Sequence, residues 1–225
     1  MTPTPWQPWP PCPRLDADTV DVWLVALDDA PEDPPLDAQE QARAERFLRE
    51  QDGARWSAAR AALRGVLAAY AGADPRELRF VVRTHGKPAL ADGGRGGAPR
   101  FNLSHSADVA LIALAQNREV GVDVELPRRA IDHVAVARRV FPAAAADRIA
   151  EIEDPDERER AFLRAWVRWE ARVKCHGSGI GAGGGPRTGM QPVVVDLDVE
   201  PPAAAALAVD GGPVAVRTFR WPPRR

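Results

Sequence analysis

Cysteine is almost absent: the chain has two in 225 residues, Cys12 and Cys175. They are far apart and share no ligand spacing, and the adjacent Cys175 and His176 suit neither a zinc finger nor a redox pair. A disulfide framework is therefore not expected, and the cytoplasm is the expected compartment. Long apolar runs are missing too, so no segment reaches the ~20 residues a membrane-spanning helix needs. Met1 to Pro13 is rich in proline and lacks a basic segment followed by an apolar one, so it does not read as a signal peptide. Charge of one sign is also scarce. Lys+Arg 30 against Asp+Glu 32 leaves a net −2 at pH 7, which offers no global field to nucleic acid or to an acidic membrane. Any anion must be held by a local cluster.

What remains is a soluble, globular composition, 45% hydrophobic and 28% charged, in a chain long enough for one large domain or two packed lobes. Residues 1–19 read as a proline-rich extended tail, laid over the fold by Trp6 and Trp9. Val20 to Leu27 (VDVWLVAL) reads as a buried strand. Asp37 and Glu40 form a capping-box pattern opening a helix that carries Arg43, Arg46 and Arg49. A second helix is expected from about Ala54 to Ala71, stopped by Gly72. LRFVV, FNLS, DVALIALA and EVGVDVE read as strands, and the last two, separated by Gln-Asn-Arg, as a hairpin. Ile131 to Phe141 and Ala144 to Ile152 look helical. Asp154-Pro155-Asp156-Glu157 starts a long helix that should end at Gly177. Gly-rich loops are expected at residues 91–99 and 177–189, and PVVVDLDV, AAALAV and PVAVRTF as closing strands.

The order implies an α+β fold of two similar lobes, each with a small, mainly antiparallel sheet and a long helix. The division is a tail at 1–19, an N-terminal lobe at 20–115 and a C-terminal lobe at 116–225.

Four polar groupings stand out. In Gly121-Val122-Asp123-Val124-Glu125, alternation puts Asp123 and Glu125 on one strand face, where a hard cation such as Mg²⁺ would relieve their repulsion. The same pattern also describes the polar face of a half-exposed strand. Phe162, Trp166, Glu170 and Lys174 are spaced by four, so Glu170 interrupts an apolar helical stripe. A metal could compensate it, or an ordinary i,i+4 pair with Lys174. Ser104, His105 and Ser106, in FNLSHS, suit phosphate oxygens, or they simply close a turn. Gly86-Lys87-Pro88 presents one lysine on a turn and lacks the Walker pattern.

In this order, GKP, FNLSHS, GVDVE and WVRWEARVK resemble the 4′-phosphopantetheinyl transferase family, in its longer, Sfp-like bacterial type. The likeness runs from about Leu36 to Ile180. It implies a pseudo-dimer with coenzyme A and Mg²⁺ between the lobes, acting as a monomer on acyl or peptidyl carrier proteins of fatty acid, polyketide or nonribosomal peptide synthesis. By resemblance, Asp123, Glu125 and Glu170 are the metal-binding carboxylates, and Glu170, Lys174 and His105 are the catalytic residues. Ser104 and His105 would contact the coenzyme A phosphates, with Lys174 neutralising developing charge. Lys87 would sit near the nucleotide and Arg43 at the 3′-phosphate, with Arg46, Arg49 and Arg55 sharing the load. Arg55 or Arg60 could equally be structural.

One position departs from the family pattern. The residue before the helix glutamate is Trp169, where W-x-x-K-E has lysine. That leaves a second reading, a catalytically weak relative that binds coenzyme A or a carrier protein.

Overall fold

The computed structural model describes residues 2–8, 14–28, 31–83, 86–91, 98–127, 131–177, 191–200 and 202–221. Both expected Gly-rich loops fall largely outside these, as do Trp9 and Cys12.

The strands are β1 (Thr19–Ala26), β2 (Phe80–Val82), β3 (Pro88–Leu90), β4 (Arg100–Ser106), β5 (Val109–Ala115), β6 (Val120–Glu125), β7 (Val193–Asp196), β8 (Ala204–Val209) and β9 (Ala215–Arg220). The helices are α1 (Ala38–Ala44), α2 (Glu50–Ala71), α3 (His133–Val140), α4 (Ala143–Ala150) and α5 (Pro155–His176). One sheet has the order β4-β5-β1-β9, another the order β6-β8-β7, and β2 and β3 form a small ribbon.

The mixed α+β architecture is two-lobed, with a sheet and a 22-residue helix in each lobe. α2 lies on the outer face of the first sheet, where Leu63, Val66 and Leu67 meet Trp23, Ile112 and Leu114. α5 covers the second sheet through Val167, Ala171 and Cys175 against Ala206 and Ala208. Between the sheets, Val20, Val22, Leu111 and Ala113 pack against Val122, Val124 and Leu207. The strands buried on both sides are the near-continuous apolar runs of the sequence, since each face has a partner to meet.

The helix ends follow local chemistry. Asp37 caps α1 by accepting from the amides of Gln39 and Glu40 at 3.0 and 2.9 Å, while Glu40 accepts from the Asp37 amide at 3.1 Å. Asp154 caps α5 by accepting from the Glu157 amide at 2.7 Å, and caps of this kind contribute about 1 kcal/mol each. Gly72 and Gly177 end the two long helices at φ 64° and 71°, a left-handed conformation that costs glycine nothing. No described helix is long and apolar enough to cross a membrane.

Two expectations need correction. β5 and β6 do not form a hairpin: β5 is flanked by β4 and β1 and has no free edge, so the chain turns at Asn117 (φ 58°) and crosses to the other sheet. The hairpin is instead β4–β5, with Ser106 opposite Val109. The helix opened by Asp37 stops at Ala44, leaving Arg46 in the corner before α2 and Arg49 as the N-cap of α2. In addition, β9 pairs parallel with β1, Asp21 opposite Arg217, so the end of the chain completes the first sheet. The tail joins the same edge: the Thr4 amide donates to the Val216 carbonyl at 3.1 Å and the Gln7 amide to the Thr218 carbonyl at 2.9 Å.

Candidate active site

Strand β4 is the wall between two environments, because its side chains alternate. Asn102, Ser104 and Ser106 face β6. The Asn102 side-chain carbonyl accepts from the Val122 amide at 2.8 Å. Ser104 Oγ donates to Asp123 Oδ1 at 2.8 Å, and Ser106 Oγ donates to Glu125 Oε2 at 2.8 Å. Two edge strands from different sheets are thus joined by side chains rather than by a backbone ladder. His105 and Leu103 point the other way, into a cleft.

The carboxylates meet α5 at this seam. Asp123 is only 1% exposed. Lys174 Nζ donates to Asp123 Oδ1 at 2.5 Å and to Ser104 Oγ at 2.9 Å, and it lies 3.5 Å from Glu170 Oε2. Glu170 is itself buried. The stripe of the long helix therefore carries its charged end into the seam, as its spacing requires. Burial pushes the Asp123 carboxyl up to about 7, against the pull of the Lys174 ammonium and with the push of the Glu170 carboxylate. Asp123 Oδ2 is buried and has no hydrogen-bond partner.

That chemistry bears on a metal. Two buried carboxylates share one ammonium, and an oxygen is left without a partner. The donor set is all oxygen, which fits a hard divalent cation such as Mg²⁺. Such a cation takes one or two protein carboxylates and completes its shell with water and substrate phosphate. Among the described residues no three His, Cys, Asp or Glu side chains gather closely enough to hold an ion by themselves.

What makes the seam tight is Gly121, to which the sequence reading gave no role. A Cβ there would lie 2.1 Å from the Ala171 carbonyl oxygen and 2.3 Å from the Cys175 amide nitrogen. Only glycine lets the backbone of α5 rest on β6 at this distance. A glycine inside a strand pattern is the signal that could have found it. Asn102 was also passed over, although N-x-S-x-S in FNLSHS has the period of one strand face.

The cleft has a volume of about 940 Å³ and lies between the α1–α2 corner, the β2–β3 ribbon and β4. Arg43, Arg46 and Arg60 line it together with His105, Trp56 and Phe80. Arg43 lies over the Trp56 ring at 5.4 Å, and among the described residues neither Arg43 nor Arg46 has a carboxylate partner. Arg60 is committed: it bonds Glu40 and lies over the Phe80 ring at 4.7 Å. The fully buried Arg64 bonds Glu40 and Asp37 at 2.7 and 2.8 Å, fixing α1 and its arginines beside α2. These two arginines and Glu40 are a largely buried ion network at the cleft wall that the sequence did not reveal.

Not every residue singled out in the sequence reaches this place. Arg55 pairs with Asp28 at 3.0 Å and does not line the cleft, and neither does Arg49. Ser104 is turned into the seam, away from the cleft. Lys87 points out of the cleft, although Gly86 and Pro88 on either side line it. Trp169 is half-buried at the edge of α5, its ring centroid 5.4 Å from that of Trp166. A second, more apolar cavity of about 1000 Å³ lies against Ala61, Gly65 and Trp221, and it holds none of these groups.

Comparison with known proteins converges on one family. Residues 119–219 match the 4′-phosphopantetheinyl transferase superfamily, and residues 34–117 match the 4′-phosphopantetheinyl transferase, N-terminal family. The chain is 34% identical over 181 residues to the 4′-phosphopantetheinyl transferase HetI of Nostoc sp., covering 78% of this chain and 76% of that protein. It is also 34% identical over 148 residues to a putative 4′-phosphopantetheinyl transferase of Synechocystis sp., and 25% over 146 residues to the transferase Sfp of Bacillus subtilis. Those two alignments cover 66% and 64% of this chain but 59% and 62% of the relatives, less than two thirds of either.

Proposed function

The chain belongs to the 4′-phosphopantetheinyl transferase superfamily, and from that membership we propose that it moves the 4′-phosphopantetheine arm of coenzyme A onto a serine of an acyl or peptidyl carrier protein. The observation that carries this is the partnerless buried oxygen of Asp123, set beside Glu170 and Lys174 at the wall of a cleft that presents Arg43 and Arg46. Carboxylates alone would repel a diphosphate, so the arrangement makes chemical sense with a divalent cation between them.

Asp123, Glu125 and Glu170 would hold Mg²⁺, in part through its waters, and the ion when bound would neutralise phosphate charge. The remaining work falls to the chain's own side chains. Arg43 and Arg46 take the 3′-phosphate end of coenzyme A, and His105 reaches the phosphates from β4. The carrier serine oxygen attacks the β-phosphorus and forms a new P–O bond. The bond to the departing 3′,5′-ADP breaks, and the serine proton passes to Glu170, directly or through a water. Lys174 stabilises the charge that develops on the phosphoryl oxygens. Ser104 aligns Asp123 and Lys174 for this task, since its hydroxyl bonds both.

The test is the intact mass of an apo carrier protein after incubation with coenzyme A, Mg²⁺ and this protein. A gain of one phosphopantetheine, lost with a chelator and with Glu170→Ala while coenzyme A still binds, is expected. Full transfer by Glu170→Ala would overturn the assignment of the base. Trp169, standing before Glu170 where the family motif has lysine, favours a second reading, a coenzyme A or carrier-protein binding relative with weak catalysis. It predicts bound coenzyme A and no mass gain on fatty acid, polyketide or nonribosomal peptide carriers.

A further inference from the structure

The Gly86-Lys87-Pro88 turn faces two ways. Gly86 and Pro88 line the cleft, yet the side chain between them crosses to the other lobe. Lys87 Nζ donates to Glu119 Oε2 at 2.6 Å, to the Val120 carbonyl at 2.8 Å and to the Cys175 carbonyl at 3.2 Å. Its side chain is 11% exposed, and an ammonium has three protons, so none is left for a phosphate. The acceptors mark two places: the start of β6, and the last turn of α5, where carbonyls lack helical partners and favour a cation. Arg100 approaches the other oxygen of Glu119 at 3.3 Å, and Cys175 Sγ donates to the Glu119 carbonyl at 3.3 Å. Residue 174 precedes the tethered carbonyl directly, and its ammonium is the one on Asp123.

Resting on the transferase reading above, we propose that Lys87 is a positioning residue. It fixes the last turn of α5 against the start of β6, and so holds Lys174 and Glu170 at Asp123, while its own turn forms part of the cleft. It acts through α5 and not by touching the nucleotide. The two roles separate kinetically: a lost nucleotide ligand raises KM for coenzyme A, whereas a displaced catalytic helix lowers kcat.

The full-length protein with Lys87→Met or Lys87→Arg is assayed for transfer to an apo carrier with coenzyme A and Mg²⁺. For Lys87→Met, kcat should fall at least about tenfold, with KM for coenzyme A within about twofold. Lys87→Arg, which keeps charge and donors, should recover part of the loss. A tenfold rise in KM at unchanged kcat, or no change in either, overturns the proposal. If Lys87→Met does not fold, Glu119→Gln weakens the same tether, and an unchanged kcat there overturns it equally. If the wild type transfers nothing, it is the transferase reading that fails. Amide exchange then decides the tether. Residues 121–123 and 173–177 should exchange at least about tenfold faster in Lys87→Met than in wild type or in the surface variant Arg76→Met. Equal exchange overturns it.

Discussion

Adding one methyl group at Gly121 tests whether the approach of α5 to β6 sets the site. In Gly121→Ala the new Cβ would meet the Ala171 oxygen at 2.1 Å, and the obstacle is helix backbone, which has no rotamer to give way. Ordinary contact begins at 3.4 Å, so α5 must retreat by about 1.3 Å (3.4 − 2.1). Lys174 and Glu170 ride on that helix. A retreat of this size takes the 2.5 Å Lys174–Asp123 bond to about 3.8 Å, beyond hydrogen-bonding reach. Overpacking of this kind costs about 1–3 kcal/mol, which in a domain of this size lowers the melting temperature by about 2–12 °C. Misplacing reacting groups by about 1 Å costs about 10²-fold in rate. Thermal unfolding and carrier-modification rates are measured together, with Gly72→Ala as the reference. That residue has φ +64° and nothing within 4 Å of its Cβ, so the substitution strains the backbone without touching the seam. Gly72→Ala should lose about 1 kcal/mol and keep its rate. If Gly121→Ala transfers phosphopantetheine as fast as Gly72→Ala, the close approach does not set the catalytic geometry.

Arg43→Ala together with Arg46→Ala should raise KM for coenzyme A by about 10²–10⁴-fold, two charged hydrogen bonds being lost, with little change for 3′-dephospho-coenzyme A. Equal losses with both substrates would remove the arginines from the 3′-phosphate. Burial pushes the Cys175 thiol up to about 12, so alkylation at pH 8 should be about 10³-fold slower than for an exposed cysteine, read in a Cys12→Ser background. Folded Cys175 keeps its proton to higher pH than the unfolded chain does. The matching stability is intact below the ordinary thiol value of 9.0 and is lost as pH climbs toward 12, which urea unfolding at successive pH values would follow.

Local rules carried much of the fold. Asp37 with Glu40, Asp154 with Pro155, and the stopping glycines are decided by neighbours within one turn, and the helices begin and end close to where those residues put them. Pairing between distant strands was not legible in the same way. Nothing local to EVGVDVE says that β5 has both edges filled, or that PVAVRTF returns to β1. The site divides along the same line. Asp123, Glu170 and Lys174 stand out because each sets a charge into an apolar pattern, and they meet at the seam. Ser104 was read as a phosphate contact and Lys87 as lying near the nucleotide, from residue type and family likeness. Their direction depends on which neighbour supplies acceptors, and a sequence cannot give that.

The parallel pairing of β1 with β9 has a bearing on how the chain is made. Thr19 leaves the ribosome 196 residues before its neighbour Ala215, about 10–40 s at ordinary elongation rates. Through that interval one edge of an apolar strand stands open to any passing partner. Asp21 sits in the middle of it, and its eventual partners, the Arg217 counterion at 2.7 Å and the Tyr70 hydroxyl donating at 2.5 Å, come from β9 and from the last turn of α2. Until Arg217 is synthesised, burying Asp21 against a wrong strand would strand a charge. The same carboxylate that welcomes the last strand guards the first one while it waits.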